Sequence, residues 1–268
     1  MTDLAELFPD GDHRFHLTLR RAEPRDFFAS RDAPGRVLAE RARWLAAEPD
    51  RYSALRPEGE PLWREFRGLI ERDGVLRPSG DERESPLDAM RRMGGVIEPD
   101  FVLLSPDAGG RFRLRGGVLC FPTGWALEEK IGETLDFIHG VVPGLNPALG
   151  SPIHQFLSKL KPGVAFLRDN WGLAATDELN LHPARGIPPP ALPTALERLW
   201  LRVEHQALVA LPESGGIAFG IRIALHRLDA VAAMPAGRGL RRALETMPAE
   251  LAAYKRLDAV RAHVISLL

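Results

Sequence analysis

The sequence predicts an α+β fold built on an antiparallel sheet, with helical additions at both ends. Three observations carry this. The stretch LRVEHQALVALPESGGIAFGIRIAL (201–225) reads as two apolar strands around a turn. Two more strand-like runs, DFVLLS (100–105) and RFRLRGGVLCF (111–121), flank the turn-rich PDAGG. Between these runs and the hairpin the hydrophobic period changes to that of helices, which suits a sheet with helices segregated to one face.

In chain order, residues 1–30 read as irregular, with one short strand expected at His16–Arg20. Val37, Leu38, Ala42 and Leu45 give the stretch from Arg36 to Ala47 a helical period. Leu62, Phe66 and Ile70 do the same for Pro61 to Arg72, and Glu84 to Met93 is a weaker helix. After the first two core strands, Thr123 is an expected N-cap and Gly140 an expected helix end, with Leu127, Ile131, Leu135 and Ile138 as the stripe between them. A second helix follows over ALGSPIHQFLSKLKPG, with Phe156, Leu157 and Leu160 inward. The strand GVAFLRDNWGL (163–173), a proline-rich loop at 182–193 and the hairpin come next, and helices close the chain from about Arg238. The middle therefore runs β-β-α-α-β-β-β, an order found in PAS-like sheets. We expect a mainly helical extension at 1–98 packed on the core, a PAS-like core at 99–235 and C-terminal helices at 236–268, together one compact unit.

Composition narrows the function classes. The chain has 268 residues and a formal net charge of -1, so a general polyanion binder such as a nucleic-acid protein is not indicated. Cys120 is the one cysteine, which excludes a disulfide framework or a multi-cysteine metal site within one chain and fits a reducing cytoplasm. No apolar run approaches the ~18 residues of a membrane span. The acidic start MTDLAELFPDGDHRFH lacks the apolar stretch of a signal peptide. H-E-x-x-H, G-x-S-x-G, G-x-G-x-x-G and the P-loop pattern are all absent, and DAGG and ESGG read as turns.

Strand alternation places Arg202, Glu204 and Gln206 on one face of the first hairpin strand, and Arg222 beside Ala218, Gly220 and Ala224 on one face of the second. Matching bulky face to bulky face demands odd-to-odd pairing and an odd loop, three residues around Glu213–Gly215 with Gly215 left-handed. All four polar residues would then share a face with small side chains, which leaves room for a ligand. Arg168 and Asn170, alternating along the preceding strand, would border the same space. An ordinary ion-pair network on the sheet is the competing account of these charges.

Of eight histidines, His139 stands out, at the end of an amphipathic helix and four residues after Leu135. It is either a metal ligand through a neutral imidazole or a core histidine bonded to a backbone carbonyl.

FPTGWALEEKIGETLDFIHGVVPG, FLRDNWGL and LRVEHQALVALPESGGIAFGIRIAL together resemble the haem-dependent oxidative N-demethylase family, which includes the α subunit of dimethylamine monooxygenase. The resemblance spans roughly residues 13 to 235. It implies a PAS-like domain binding haem b, oxygen activation at the iron, and loss of a methyl group as formaldehyde from a dimethylamine-like secondary amine. It also implies partner subunits that deliver electrons from NADPH through flavin and a 2Fe-2S centre, and that capture formaldehyde with tetrahydrofolate. By position it makes His139 the proximal haem ligand; one histidine is enough, because the porphyrin fills the in-plane positions. Glu204 becomes the amine anchor. Gln206, Asn170 and Arg222 would line the distal pocket or the propionates, with Glu204, Arg222 and Gln206 as the catalytic set. Arg168 and Arg202 become candidate propionate partners. Cys120, within a strand, is not a ligand candidate.

The chain departs from the family pattern at His205, which replaces an arginine, and at Ile223 and Ala224, where a threonine and a tyrosine are usual. Val141 stands in place of a proline. A haem-binding PAS-like sensor and a non-catalytic subunit with a vestigial pocket are the alternatives these departures keep open.

Overall fold

The computed structural model describes residues 3–15, 19–33, 35–77 and 83–268. Among the described residues, seven strands form one sheet: β1 Arg20–Ala22, β2 Ser53–Leu55, β3 Asp100–Pro106, β4 Phe112–Val118, β5 Ala165–Ala174, β6 Trp200–Leu211 and β7 Gly216–Arg227. Their order is β1-β5-β6-β7-β3-β4-β2, and every pairing is antiparallel. With helices packed on both faces, the α+β class is as the sequence predicts. The expected strand at His16–Arg20 falls largely on residues outside the described set, and the strand that is described there begins at Arg20.

Most helices fall where their periodicity puts them, at Arg36–Ala47, Glu60–Arg72 and Pro86–Gly94. The expected helix from Thr123 to Gly140 is instead two short ones, Leu127–Lys130 and Leu135–His139. Between them the chain turns back onto β4. Gly132 takes a left-handed φ of 88° and donates to the Leu114 carbonyl, while Leu114 N–H donates to Glu133. These sheet-type bonds satisfy backbone groups that a continuous helix would satisfy internally. Thr134, rather than Thr123, caps the second helix by accepting from Phe137 N–H at 3.2 Å. The next helix is Leu145–Leu157, earlier than its apolar residues alone suggested.

The hairpin register differs from the expected one. Leu211 pairs with Gly216 and Glu204 with Ile223, so odd residues face even ones and the loop holds four residues, 212–215. Gly215 is left-handed, at φ 69°. The loop is held from outside the hairpin, since the Glu65 carboxylate accepts the N–H groups of Glu213 and Ser214 and the Ser214 hydroxyl. Every side chain of β7 therefore sits on the face opposite to the one expected relative to β6.

Face one carries Arg168 and Asn170 of β5, Arg202, Glu204, Gln206 and Leu208 of β6, and Ile217, Ile221 and Ile223 of β7. Its lower half packs with Val102, Leu104 and Leu114 under Leu127, Leu135, Ile153 and Leu157 of the inserted helices. Face two carries His205, Ala207, Val209, Ala218, Gly220 and Arg222. It is covered by Phe27, Phe28, Leu62 and Phe66 from the N-terminal segment and, toward Val203, by the C-terminal helices through Leu240, Leu244 and Val264.

The small residues of β7 thus admit aromatic rings, not a ligand. A Cβ on Gly220 would lie 2.6 Å from the Phe27 ring and 2.9 Å from that of Phe28. Gly220→Ala is expected to lower the unfolding free energy by about 1–3 kcal/mol, the usual cost of overpacking. A denaturant titration showing no loss would mean that the two rings move aside freely.

Candidate haem and amine site

Face one opens beside the inserted helices into a cavity of about 520 Å³. That lies within the ~300–1,000 Å³ usual for small-molecule and cofactor sites. His139, Asn170, Arg202 and Glu204 all line it, together with apolar groups such as Ile138, Val142, Trp171, Leu173 and Ile187.

Among the described residues Glu204 is the only acidic one lining it, and it is buried. Its position on β6 puts it opposite Asn170 of β5 and two residues from Gln206 on the same face. Gln206 Nε2 donates to its Oε2 at 2.8 Å, and Asn170 Nδ2 approaches the same oxygen at 3.4 Å. The Thr123 hydroxyl donates to Oε1. Three neutral donors hold the carboxylate, which has about four acceptor sites, so one remains open.

Arg202 supports this arrangement from below. It is 1% exposed and is engaged throughout: Nε donates to Thr123 Oγ1 at 2.9 Å, and Nη2 donates to the carbonyls of Phe121 at 2.9 Å and Leu179 at 2.7 Å. Burial pulls the guanidinium down to about 10, against the attraction of Glu204 and Asp100, so it stays charged at neutral pH. With its donors spent on backbone carbonyls, Arg202 is not a propionate partner; it aims Thr123 at Glu204. The chain at Cys120 and Phe121 is fixed in turn by Asp100, which accepts both N–H groups and pairs with buried Arg41 at 2.5 Å.

His139 ends the helix Leu135–His139 on the cavity side. Its ring makes no hydrogen bond among the described residues, unlike His154 on Asp136, His182 on Glu128, His205 on Asp169 and His263 on the Thr194 carbonyl. The backbone-carbonyl alternative for His139 therefore does not hold. Burial, and then the nearby Arg168, push it down to about 4, which keeps the imidazole neutral at neutral pH. A neutral, unbonded ring on a cavity wall is the form that ligates a metal. Among the described residues no three acidic, histidine or cysteine side chains cluster as a metal site. Cys120 is buried, and that burial pushes its thiol up to about 12.

Arg168 stands opposite Gln206 on face one, and its guanidinium makes no hydrogen bond or ion pair among the described residues. It lines a smaller cavity of about 130 Å³, together with Gln206, rather than the main one. Burial lowers it, while Glu204 and Asp169 attract it.

Arg222 is a correction. The even loop turns it to face two, where it pairs with Glu98 and donates to the carbonyls of Phe27 and Ala29 at 2.8 Å. Burial pushes the Glu98 carboxyl up, but hydrogen bonds from Ser30, Asp32 and Arg222 outweigh this and hold it low. Arg222 pins the N-terminal segment to the sheet and does not reach Glu204. His205 is on that face too, with Nδ1 2.6 Å from Asp169 Oδ1. Of the two β7 departures from the family pattern, Ile223 is on the Glu204 face and Ala224 is not.

Sequence reasoning missed Thr123, read as a helix cap, and Lys255. Thr123 lies in one of the quoted blocks, FPTGW, so the signal was present; Lys255 lies in the C-terminal helices, beyond any strand pattern.

A neutral histidine with no hydrogen bond and a buried carboxylate on one largely apolar cavity define an α+β protein with a cofactor-and-ligand pocket. A family model described as haem-dependent oxidative N-demethylase, alpha subunit-like, matches residues 49–265, and the chain belongs to that family. The match takes in the C-terminal helices as well as strands β2 to β7. At family level the chain is thus a haem-dependent oxidative N-demethylase-like protein of alpha-subunit type, which implies a multi-subunit assembly. No described helix is long and apolar enough to cross a membrane. The residues fit a haem: an unbonded imidazole stands on the wall of a cavity lined largely by apolar groups, with cationic Lys130 and Arg256 also lining it.

Proposed function

We propose that this chain holds haem b through His139 and removes an N-methyl group oxidatively from a secondary amine anchored at Glu204. The supporting observation is that His139 and Glu204 line one cavity. The strand order β5-β6-β7-β3-β4, with helices inserted between β4 and β5, supports reading residues 99–235 as a PAS-like core.

The residues divide the work. Glu204 accepts an N–H of the alkylammonium, and its charge offsets the cost of bringing that cation out of water. Thr123, Gln206 and Asn170 fix the carboxylate's direction, so the amine enters in one orientation. Ile138 and Ile187 on the cavity wall exclude water around the N-methyl group. Lys130 and Arg256, the cations at the rim of this cavity, would meet the cofactor's propionates. When bound, haem supplies the redox chemistry: one oxygen of O2 leaves in formaldehyde and the other in water, with two electrons arriving from outside the chain. That requirement fits a reductase passing electrons from NADPH through flavin and a 2Fe-2S centre, and a tetrahydrofolate-binding subunit to take the formaldehyde.

The test is an absorbance spectrum of the protein purified with haem supplied during expression. A Soret band that persists through gel filtration is expected. Its absence, with no extractable haem, would sink both this reading and that of a haem sensor. Formaldehyde release from secondary amines with an electron donor then separates enzyme from sensor.

A further inference from the structure

The charge of the cavity is the reverse of what a simple alkylammonium requires. Lys130, Arg202, Lys255 and Arg256 line it against the single carboxylate of Glu204. Arg202 is spent on carbonyls, as described. Lys130 is drawn aside over the Phe137 ring, at 5.2 Å from its centroid, and Arg256 is exposed. Lys255 differs from both, because it stands beside the amine anchor itself.

Its position follows from the sheet. Among the described residues, β1 pairs with β5 at residues 165–167, short of Asn170 and Trp171. The C-terminal helix Ala249–Tyr254 ends beside Asn170 and Trp171 of β5, with Lys255 as its C-cap. Its Nζ donates to the Trp171 carbonyl at 2.5 Å and to Asn170 Oδ1 at 3.3 Å, and sits 5.3 Å from the centroid of the Trp171 ring. An ammonium has three donors, so one is left for the cavity that Lys255 lines. The same Asn170 carboxamide that receives Lys255 through its oxygen gives its nitrogen to Glu204. A cation and a carboxylate, each with one open site, are thus held one carboxamide apart on the same wall. Burial pulls the Lys255 ammonium down to about 8, with Glu204 opposing this, so it is charged at neutral pH.

We infer that Lys255 and Glu204 together recognise a zwitterion, and that the substrate class is an N-methylated α-amino acid, with its ammonium on Glu204 and its carboxylate on Lys255. An α-amino acid carries its two charges two bonds apart, which matches a pair of opposite charges joined by one amide. This rests on the demethylase reading and narrows its substrate. A dimethylammonium ion would satisfy Glu204 alone and leave the neighbouring ammonium without a counter-charge.

The experiment is calorimetric titration of the haem-loaded protein with N-methylglycine, its methyl ester and dimethylamine. N-methylglycine should bind at least about tenfold more tightly than either of the others, since a charge-assisted hydrogen bond is at stake. The ester reads the contact on the unaltered chain. Lys255→Met should collapse that preference, and Lys255→Arg should restore most of it. Equal affinities for the three compounds, or a preference that survives Lys255→Met, would overturn the inference. So would a Lys255→Met protein that loses haem but keeps its preference, which would place the lysine on a propionate instead. Haem binding and formaldehyde release from dimethylamine without the preference would defeat the zwitterion pair and leave the demethylase reading standing. A preference in protein that binds no haem would do the reverse.

Discussion

His139→Ala is expected to abolish axial ligation and to lower haem affinity by about a hundredfold or more. Substitutions of groups that merely orient a metal ligand already cost about 10–100-fold, so loss of the ligand itself should exceed that. The measurement is the Soret position and the haem-transfer rate to an apo-acceptor. His182→Ala is the matched control. His182 also lines the cavity, but its Nδ1 accepts the Ala184 N–H at 3.1 Å and its Nε2 faces Glu128. Both nitrogens are occupied, so this variant should keep the axial ligand. An unchanged spectrum in His139→Ala, or a lost one in His182→Ala alone, would move the iron to the other side of the cavity.

Which parts of this site could be read from sequence follows from the range of each signal. Alternation along β5 and β6 is local: it groups Arg168 with Asn170 and Arg202 with Glu204 and Gln206, and the register between the strands puts both groups on one face. The register between β6 and β7 is not local. It is set by Glu65 gripping the 212–215 loop and by Phe27 and Phe28 filling the space over Gly220, both contributed from more than a hundred residues away. Matching bulky to bulky residues ignored those partners, and Arg222 was placed on the wrong face as a result. His139 was legible as a residue at a helix end on the apolar side, although the helix itself was overextended. Gly132 was the breaker, and its pairing with Leu114 on β4 is another long-range contact. Arg202 shows a further limit: strand position gives the face of a side chain, not whether nearby carbonyls consume its donors.

Glu204→Gln is expected to lower kcat/KM for the amine by about 10–100-fold while leaving the haem spectrum intact. The amide keeps the shape of the side chain but removes the charge that stabilises a bound ammonium, and charged hydrogen bonds are worth about 1.5–3 kcal/mol. An NH2 group on the Gln206 and Asn170 side would set donor against donor, so the amide turns its NH2 to Thr123, whose hydroxyl must then accept instead of donate. Glu98→Gln tests whether position, rather than carboxylate chemistry in general, matters. Glu98 is as buried as Glu204 and is also bonded to its surroundings, but it pairs with Arg222 on the other face of the sheet. Its substitution should reduce stability, because it weakens a buried ion pair that holds residues 27–32, and should spare amine affinity. If turnover survives in Glu204→Gln, the ammonium is held elsewhere. Since no other acidic side chain lines the cavity among the described residues, that result would mean the amine enters uncharged.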